Sequence, residues 1–271
     1  DNFFPGHGGY FKDPNIVLAF FALTHLQGPG TKLFIEATDS AGNVTRAGFT
    51  HYIGRKGFKK DDIPITDEYL DASMPMVRID GLEGFHGSNL DKFIKINGEL
   101  RVKNERRILG PGPFTEKTMR WDGPFLRMPG SATRATFADH RSYHYKGKVI
   151  DQQYHLGYDL ASLEQSPVPA ANSGKVVLVD TIGIYGKTVV LDHGFGLFSS
   201  YSHLSRVQVE VGKVVAKGEI LGATGITGLA AGDHLHFGMF IHNVFVDPLQ
   251  WWDPVWIRNN ITSKIRDAQP E

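Results

Sequence analysis

The chain contains no cysteine, and this absence removes several kinds of chemistry. None of its 271 residues is cysteine, so disulfides, thiolate-ligated zinc sites and cysteine nucleophiles are excluded. Any metal site must therefore use other side chains. The absence does not fix the compartment, because a protein of the cell envelope can also fold without cysteine.

Long apolar runs and net charge are lacking too. The apolar run at residues 16–23 is far shorter than the roughly 18 residues that a membrane span needs. Lysine and arginine number 29, as do aspartate and glutamate, which argues against nucleic acid as the main partner. The sequence starts at Asp1 without a signal sequence, and we expect a mature or truncated chain whose export signal or membrane anchor has been removed.

Glycine, in contrast, is abundant. The 31 glycines favour short strands and tight turns over helical bundles. Between residues 121 and 252 short apolar stretches alternate with glycine turns, which is typical of an all-β sandwich or barrel. The predicted strands lie at residues 135–138, 175–179, 188–191, 197–201, 207–211 and 219–222. Residues 253–271 form a polar tail.

A small β module is predicted at residues 1–52. Its strands are residues 16–23 and 32–38, and turn residues 39–43 connect the second strand to a return strand at 44–50. The tip of this hairpin resembles the last hairpin of immunoglobulin-like bacterial modules. We therefore predict an immunoglobulin-like β module.

Residues 53–120 are predicted to form a small helical linking region. A helix should begin after Thr66, and Ser88 with Asp91 has the pattern of a capping box for a second helix. Apolar residues then recur at helical spacing, at Leu90, Phe93, Ile96 and Leu100. The alternative is that this region covers the groove of the following domain and regulates it.

The most informative stretch is the buried strand His234-Leu235-His236-Phe237. Because side chains alternate along a strand, Leu235 and Phe237 face a core while His234 and His236 share the other face, roughly 6.5 Å apart. One imidazole can then bind a metal while the other reaches over it. Such a site needs further ligands from other parts of the chain.

His155 and Asp159 are the candidates for these ligands, and His203 is a further partner. In an extended strand His155 and Asp159 would lie about 13 Å apart, so the backbone must bend between them, most easily at Gly157. Two histidines and one carboxylate, with a water in the open position, form a catalytic zinc set. Taken alone, the His155–Asp159 pair also fits a surface loop, and His203 also fits an ordinary core or surface position.

Other histidines compete for these roles. His140 and His144 have metal-like spacing for a helix, but the residues around them have no helical pattern. We interpret them as decoys or, at most, groove residues. His193 lies in a glycine-rich turn and is interpreted as structural.

The order of motifs over residues 121–252 resembles that of the lysostaphin-type zinc endopeptidases. The resemblance is carried by His155-x-x-x-Asp159, by residues 167–174, 186–196, 201–204, 211–218 and 225–228, and by His234-Leu235-His236. It implies a small antiparallel β domain with one Zn²⁺ in a groove. It also implies that His155, Asp159 and His236 are zinc ligands and that His203 and His234 are non-ligand catalytic histidines.

The family cuts peptide bonds in the stem peptides or cross-bridges of bacterial peptidoglycan, which implies an exported protein of the periplasm or cell envelope. Two positions depart from the family pattern, since Gly238 replaces a frequent glutamate and Asp233 a frequent proline. Neither position supplies a ligand, so they bear on the surroundings of the site and on substrate preference. Tyr143 and Asn172 are predicted to line the groove, and a D-alanine to diaminopimelate cross-link is the expected substrate.

Two alternatives to a freely active enzyme stay open. One is a non-catalytic, peptidoglycan-binding relative that activates another hydrolase. The other is an enzyme that its own N-terminal region holds inactive.

Overall fold

The computed structural model describes residues 2–77 and 80–269. The extreme ends of the predicted module and tail, and two positions of the predicted linking region, therefore lie outside the described residues. The structure is mainly β, as predicted. Its strands are β1 (Ile35–Thr38), β2 (Val44–Ala47), β3 (Lys60–Ile65), β4 (Ala132–Ala135), β5 (His140–Tyr145), β6 (Lys148–Tyr154), β7 (Tyr158–Ala161), β8 (Pro167–Pro169), β9 (Gly174–Ile182), β10 (Gly186–Gly194), β11 (Leu197–Leu204), β12 (Arg206–Val207), β13 (Val214–Val215), β14 (Ile220–Ala223), β15 (Leu235–Ile241) and β16 (Val244–Val246).

An antiparallel sheet dominates the part of the chain described, with the strand order β13-β9-β10-β11-β15-β7-β4 and β16 paired with β15. Every residue of β11 and β15 is buried. Both faces of these central strands are therefore covered, which explains their nearly continuous apolar sequences. His203 and His236, two of the histidines that the sequence singled out, lie on these central strands.

A second sheet has the order β3-β5-β6 and connects the two halves of the chain. Strand β3 comes from the predicted linking region and pairs in parallel with β5, from Lys60 opposite His140 to Ile65 opposite Tyr145. The linking region thus contributes a strand to a sheet of the C-terminal half. Strands β12, β14 and β8 form a third, small sheet.

The predicted helices of the linking region are confirmed. The helices of the chain are α1 (Asp67–Ser73), α2 (Asn89–Lys95), α3 (Arg101–Leu109), α4 (Pro248–Trp252), α5 (Pro254–Ile257) and α6 (Ser263–Asp267), with short 3₁₀ turns at Met74–Met76, Gly112–Phe114 and Gly183–Tyr185. Thr66 caps α1, and Ser88 forms the predicted capping box with Asp91 at the start of α2. A π-helical turn at Ile96–Leu100 joins α2 to α3, at the point where Gly98 weakens regular helix.

The prediction of a strand at residues 16–23 is wrong. Leu18 makes only an isolated bridge, with His7. The segment instead buries Phe20, whose ring lies 6.3 Å from that of Trp121. A continuous apolar run indicates burial, and here the burial is against the C-terminal half rather than within a sheet.

The predicted hairpin is present as β1 and β2, which pair from Ile35 opposite Ala47 to Thr38 opposite Val44. Asp39 orders the turn by accepting hydrogen bonds from the backbone of Ala41 and Asn43, both at 2.9 Å. An immunoglobulin-like module at residues 1–52 stays a prediction.

The C-terminal tail is helical over its described length. Asp247 and Asp253 accept backbone hydrogen bonds at the starts of α4 and α5, and a π-helical turn at Arg258–Thr262 leads into α6. Trp251 on α4 is buried against Trp121. Among the helices that the structure describes, none combines the length and apolarity of a membrane span.

Candidate metal centre

Three side chains from separate elements converge on one point. Strand β7 pairs with β15 so that Asp159 lies opposite His236, and His155 lies in the turn between β6 and β7. Asp159 Oδ1 is 2.9 Å from His155 Nε2 and 2.9 Å from His236 Nδ1. The two nitrogens are 3.0 Å apart. These residues form a group of candidate metal ligands.

The hydrogen bonds around His155 show that this cluster fits a cation. His155 Nδ1 lies 2.9 Å from the Thr136 carbonyl oxygen, which can only accept, so Nδ1 carries the proton. In the neutral imidazole Nε2 then holds a lone pair, and that lone pair faces the Asp159 carboxylate. Two acceptors at this separation repel each other unless a positive charge lies between them. Two imidazoles and one carboxylate are a ligand set that zinc prefers.

The bend predicted at Gly157 is present, and close packing requires the glycine. A Cβ at this position would lie 2.6 Å from the Phe237 carbonyl oxygen and 2.7 Å from His236 Nε2. No side chain therefore fits between the turn and β15. The glycine lets His155 and His236 approach each other across the sheet.

His203 and His234 flank the cluster. His203 ends β11 in the left-handed region, with φ of 62°, a conformation that is rare and strained for residues other than glycine. Its ring centroid lies 4.7 Å from that of His234 and 6.0 Å from that of His236. His234 Nε2 lies 3.5 Å from Asp159 Oδ1.

Backbone carbonyls fix both flanking imidazoles. His203 Nδ1 donates to the Thr227 carbonyl at 2.8 Å, and His234 Nδ1 donates to the Gly232 carbonyl at 2.8 Å. In both neutral rings Nε2 is therefore the nitrogen that can accept a proton. The structure thus presents two oriented imidazoles next to the candidate metal ligands.

Burial and charge shift the pKa values of this group in different directions. Burial lowers the pKa of His203 to about 3 and that of His236 to about 4. For His234, burial is the largest single effect and acts in the same direction, but the hydrogen bond and charge of Asp159, the Gly232 carbonyl and the charge of Asp233 together outweigh it, and the pKa is raised. Burial opposes ionisation of Asp159, yet the neighbouring histidines hold its pKa well below the ordinary value.

The structure adds residues that the sequence analysis missed. The Tyr185 ring lies 5.4 Å from that of His236, and Tyr185 Oη is 3.4 Å from Glu105 on α3. Next to Glu105, Asn104 accepts a hydrogen bond from the Ile184 backbone at 3.0 Å. The linking region therefore packs directly beside the candidate metal centre. No spacing in the sequence indicates this contact, because the partners lie about 80 residues apart.

Arg141 is a further residue that sequence reasoning missed. Its guanidinium lies 3.5 Å from Asp159 Oδ2, the carboxylate oxygen that is not bonded to His155 and His236. Its stretch of sequence drew attention to His140, Tyr143 and His144 instead. Those two histidines lie outside the cluster: His140 packs on Tyr154, and His144 Nε2 is 3.0 Å from Asp62.

Tyr143 and Asn172 are both buried, and their role in lining a substrate groove stays a prediction. Tyr143 is buried, with its ring 5.6 Å from Phe93 of α2. Asn172 is buried too, and its side-chain amide donates to the Asp122 carbonyl at 3.1 Å. Both side chains make contacts between elements of the fold.

His193 is fully buried in the sheet, as expected of a structural residue. Its Nδ1 donates to the Ser173 carbonyl at 2.7 Å, and its Nε2 lies 2.7 Å from Ser199 Oγ. Burial lowers its pKa to about 4.

Comparison with known proteins agrees with this site. Residues 153–248 match the model of Peptidase family M23. This segment contains all five residues discussed above as candidate ligands or flanking histidines: His155, Asp159, His203, His234 and His236. This segment of the C-terminal half therefore resembles the domain of Peptidase family M23, the lysostaphin-type family. The resemblance predicted from the motifs is confirmed.

Similar proteins come from several bacteria. The peptidoglycan DD-endopeptidase ShyB of Vibrio cholerae is 31% identical over 114 residues, which cover 42% of this chain and 26% of ShyB. The peptidoglycan DD-endopeptidase ShyA of the same organism is 34% identical over 87 residues, covering 32% of this chain and 20% of ShyA. The matches thus span about a quarter or less of these curated relatives.

Among solved structures, a putative M23 peptidase from Pseudomonas aeruginosa has a similar fold over most of its length. The TM-score is 0.54 at 23% identity, covering 90% of this chain and 82% of that chain. The shared architecture therefore includes much of the N-terminal half.

Proposed function

We propose that this protein is a zinc-dependent endopeptidase that hydrolyses the peptide cross-links of bacterial peptidoglycan. The observation that carries the proposal is the convergence of His155, Asp159 and His236, with His203 and His234 beside them. The names of ShyA and ShyB, both peptidoglycan DD-endopeptidases, support the substrate class.

In this proposal His155, Asp159 and His236 hold one zinc ion. A bound zinc would act as a Lewis acid on the scissile carbonyl and lower the pKa of its water. The remaining tasks fall to side chains of this chain. Thr136, itself bonded to Asp139 at 2.8 Å, keeps the His155 ring oriented.

His203 and His234 divide two tasks between them. One imidazole Nε2 takes the proton of the attacking water and passes it to the leaving amine. The other imidazole, when it is protonated at Nε2 as well as at Nδ1, donates to the oxyanion that develops on the carbonyl. The Thr227 and Gly232 carbonyls support both tasks, because they hold the rings in fixed orientations. The strained backbone of His203 supports a functional role at this position.

The proposed substrate is a cross-link from D-alanine to diaminopimelate. A substrate of this kind places the protein outside the cytoplasm, in the periplasm or cell envelope. This part of the proposal is supported by the names of the relatives.

Mass spectrometry of muropeptides tests the proposal. Purified sacculi are digested with wild type, with His155→Ala and with His144→Ala, a control that removes a histidine bonded to Asp62 outside the cluster. We expect cross-linked muropeptides to disappear with wild type and His144→Ala and to persist with His155→Ala. Elemental analysis should find about one zinc per chain in wild type.

The alternative, a non-catalytic activator of another hydrolase, predicts the opposite result. Wild type would then release no fragments from sacculi, and His155→Ala would behave identically. Such an outcome would contradict the proposed function.

A further inference from the structure

Arg141 belongs to the more exposed part of the candidate metal centre. The side chains of His155 and His236 are only 5% and 6% exposed. Those of Asp159 and Arg141 are 16% and 20% exposed. The Arg141 guanidinium and the Asp159 carboxylate are therefore more accessible to a substrate than the two candidate imidazole ligands.

The side chains opposite Arg141 on the neighbouring strands do not neutralise its charge. Arg141 on β5 lies between Asp61 of β3 and Gln153 of β6. The Asp61 carboxylate is bound by Lys59 at 2.6 Å. Asp61, the acidic residue opposite Arg141 on β3, is therefore already paired with Lys59.

The contact between Arg141 and Asp159 is loose. Its 3.5 Å separation exceeds the 2.7–2.9 Å of a good charge-assisted hydrogen bond. Among the described residues, Asp159 is the ion-pair partner of this guanidinium, although an arginine offers five N–H donors. Most of that donor capacity is free for an anion at the mouth of the centre.

We propose that Arg141 binds a free carboxylate of the substrate, on the carbon that bears the scissile nitrogen. The inference rests on the proposed function and specifies its substrate class. In a cross-link between two D-centres, this carboxylate is separated from the scissile carbonyl carbon by three bonds. A guanidinium next to a ligand of the metal centre can reach it, and its planar fork matches a carboxylate with two parallel hydrogen bonds.

This contact selects among cell-wall peptides. A D-alanyl bond to a D-amino acid carries the required carboxylate, whereas an internal bond of a polyglycine bridge has none. A peptide without the carboxylate would leave the guanidinium beside the centre without a bonding partner, which disfavours its binding. Arg141 is therefore a specificity-determining residue for bonds next to a carboxylate.

Matched substrates and variants test the inference. The substrates are cross-linked peptide dimers with either a carboxylate or a carboxamide on the carbon that bears the scissile nitrogen. The proteins are wild type, Arg141→Gln, Arg141→Lys and Arg258→Gln, a control that removes an exposed arginine of the C-terminal helices. For the carboxylate substrate, we expect Arg141→Gln to lose about 10- to 100-fold in kcat/KM, mainly through KM. The carboxamide should already show this loss with wild type and lose nothing further with Arg141→Gln.

Arg141→Lys should keep part of the preference, since it retains the charge but not the fork. Arg258→Gln should match wild type. If Arg141→Gln impaired both substrates equally, and its zinc affinity in competition with a chelator fell in parallel, Arg141 would only position Asp159 and the inference would be wrong. Equal use of both substrates by wild type would also overturn it.

A binding measurement separates this inference from the proposed function. The probes are N-acylated D-alanyl-D-alanine and its C-terminal amide, titrated calorimetrically into each protein. We expect wild type to bind the carboxylate form at least about tenfold more tightly, and Arg141→Gln to bind both forms alike. If no peptide is cleaved but this preference holds, the proposed catalysis fails and the Arg141 site stands. If cleavage occurs without the preference, the Arg141 site fails alone.

Discussion

Replacing Gly157 by alanine should weaken metal binding without removing a ligand. The new Cβ would lie 2.6 Å from the Phe237 carbonyl oxygen and 2.7 Å from His236 Nε2, and real Cβ contacts are essentially never that short. The carbonyl belongs to the hydrogen-bonded strand β15, so the His236 ring must give way. Displaced support around a metal ligand typically costs 10- to 100-fold in metal affinity, and overpacking costs about 1–3 kcal/mol of stability.

Competition with a chromogenic chelator measures the zinc affinity, and urea unfolding of the chelator-treated protein measures the stability. Gly57→Ala is the matched control, because this exposed glycine has no atom within 4 Å of its built Cβ. Its zinc affinity should equal that of wild type. If Gly157→Ala binds zinc as tightly as wild type, the packing argument for this glycine is wrong.

Three further predictions concern stability and regulation. Burial lowers the pKa of His193 from 6.5 to about 4, so the folded protein keeps this imidazole neutral. The neutral imidazole therefore contributes its full share to the stability of the fold above pH 6.5, and this contribution is lost as the pH falls towards 4. Lowering this pKa from 6.5 to about 4 corresponds to about 3 kcal/mol of stability. Measured by urea unfolding, His193→Gln should therefore lose less stability than wild type when the pH falls from 7 to 4. Equal losses in the two proteins would contradict the assignment. Zinc at 100 times its dissociation constant should stabilise wild type by about 2.7 kcal/mol and raise Tm, whereas an equal rise in His236→Ala would show that the ion binds elsewhere. Asn104→Ala should lower the free energy of unfolding by about 1–3 kcal/mol, because the Ile184 N–H loses its buried acceptor. If the linking region restrains the enzyme, this variant should also digest sacculi faster than wild type. An equal or lower rate from the folded variant would count against restraint.

The predictions that agree with the structure rest on local sequence patterns. Strand alternation places His234 and His236 towards one side of β15, and Asp159 meets His236 because β7 pairs with β15 in register. The capping box at Ser88 was readable for the same reason, since its partner is three residues away. In each case the decisive contact follows from spacing along one element or from a motif.

Contacts between distant elements could not be read from the sequence. Arg141 and Tyr185 reach the metal centre only through the packing of β5 and of the turn before β10. The error at residues 16–23 has a related cause, because a short apolar run reports burial but does not identify what buries it. The burial of Asn172 was missed likewise, since its partners are the backbone carbonyls of residues about 50 positions earlier.

The pairing of β3 with β5 determines how regulation by the linking region should be tested. A chain beginning near Trp121 would lack β3 and leave the edge of β5, the strand that carries Arg141, without its parallel partner. An unpaired edge invites aggregation and local unfolding, so lower activity of such a chain would not distinguish a lost support from a lost inhibitor. A point variant at Asn104 retains β3 and loosens only the contact between α3 and the turn at Ile184. Higher activity in that variant, with an unchanged preference for the carboxylate substrate, would separate restraint by the helices from the support that β3 gives to Arg141.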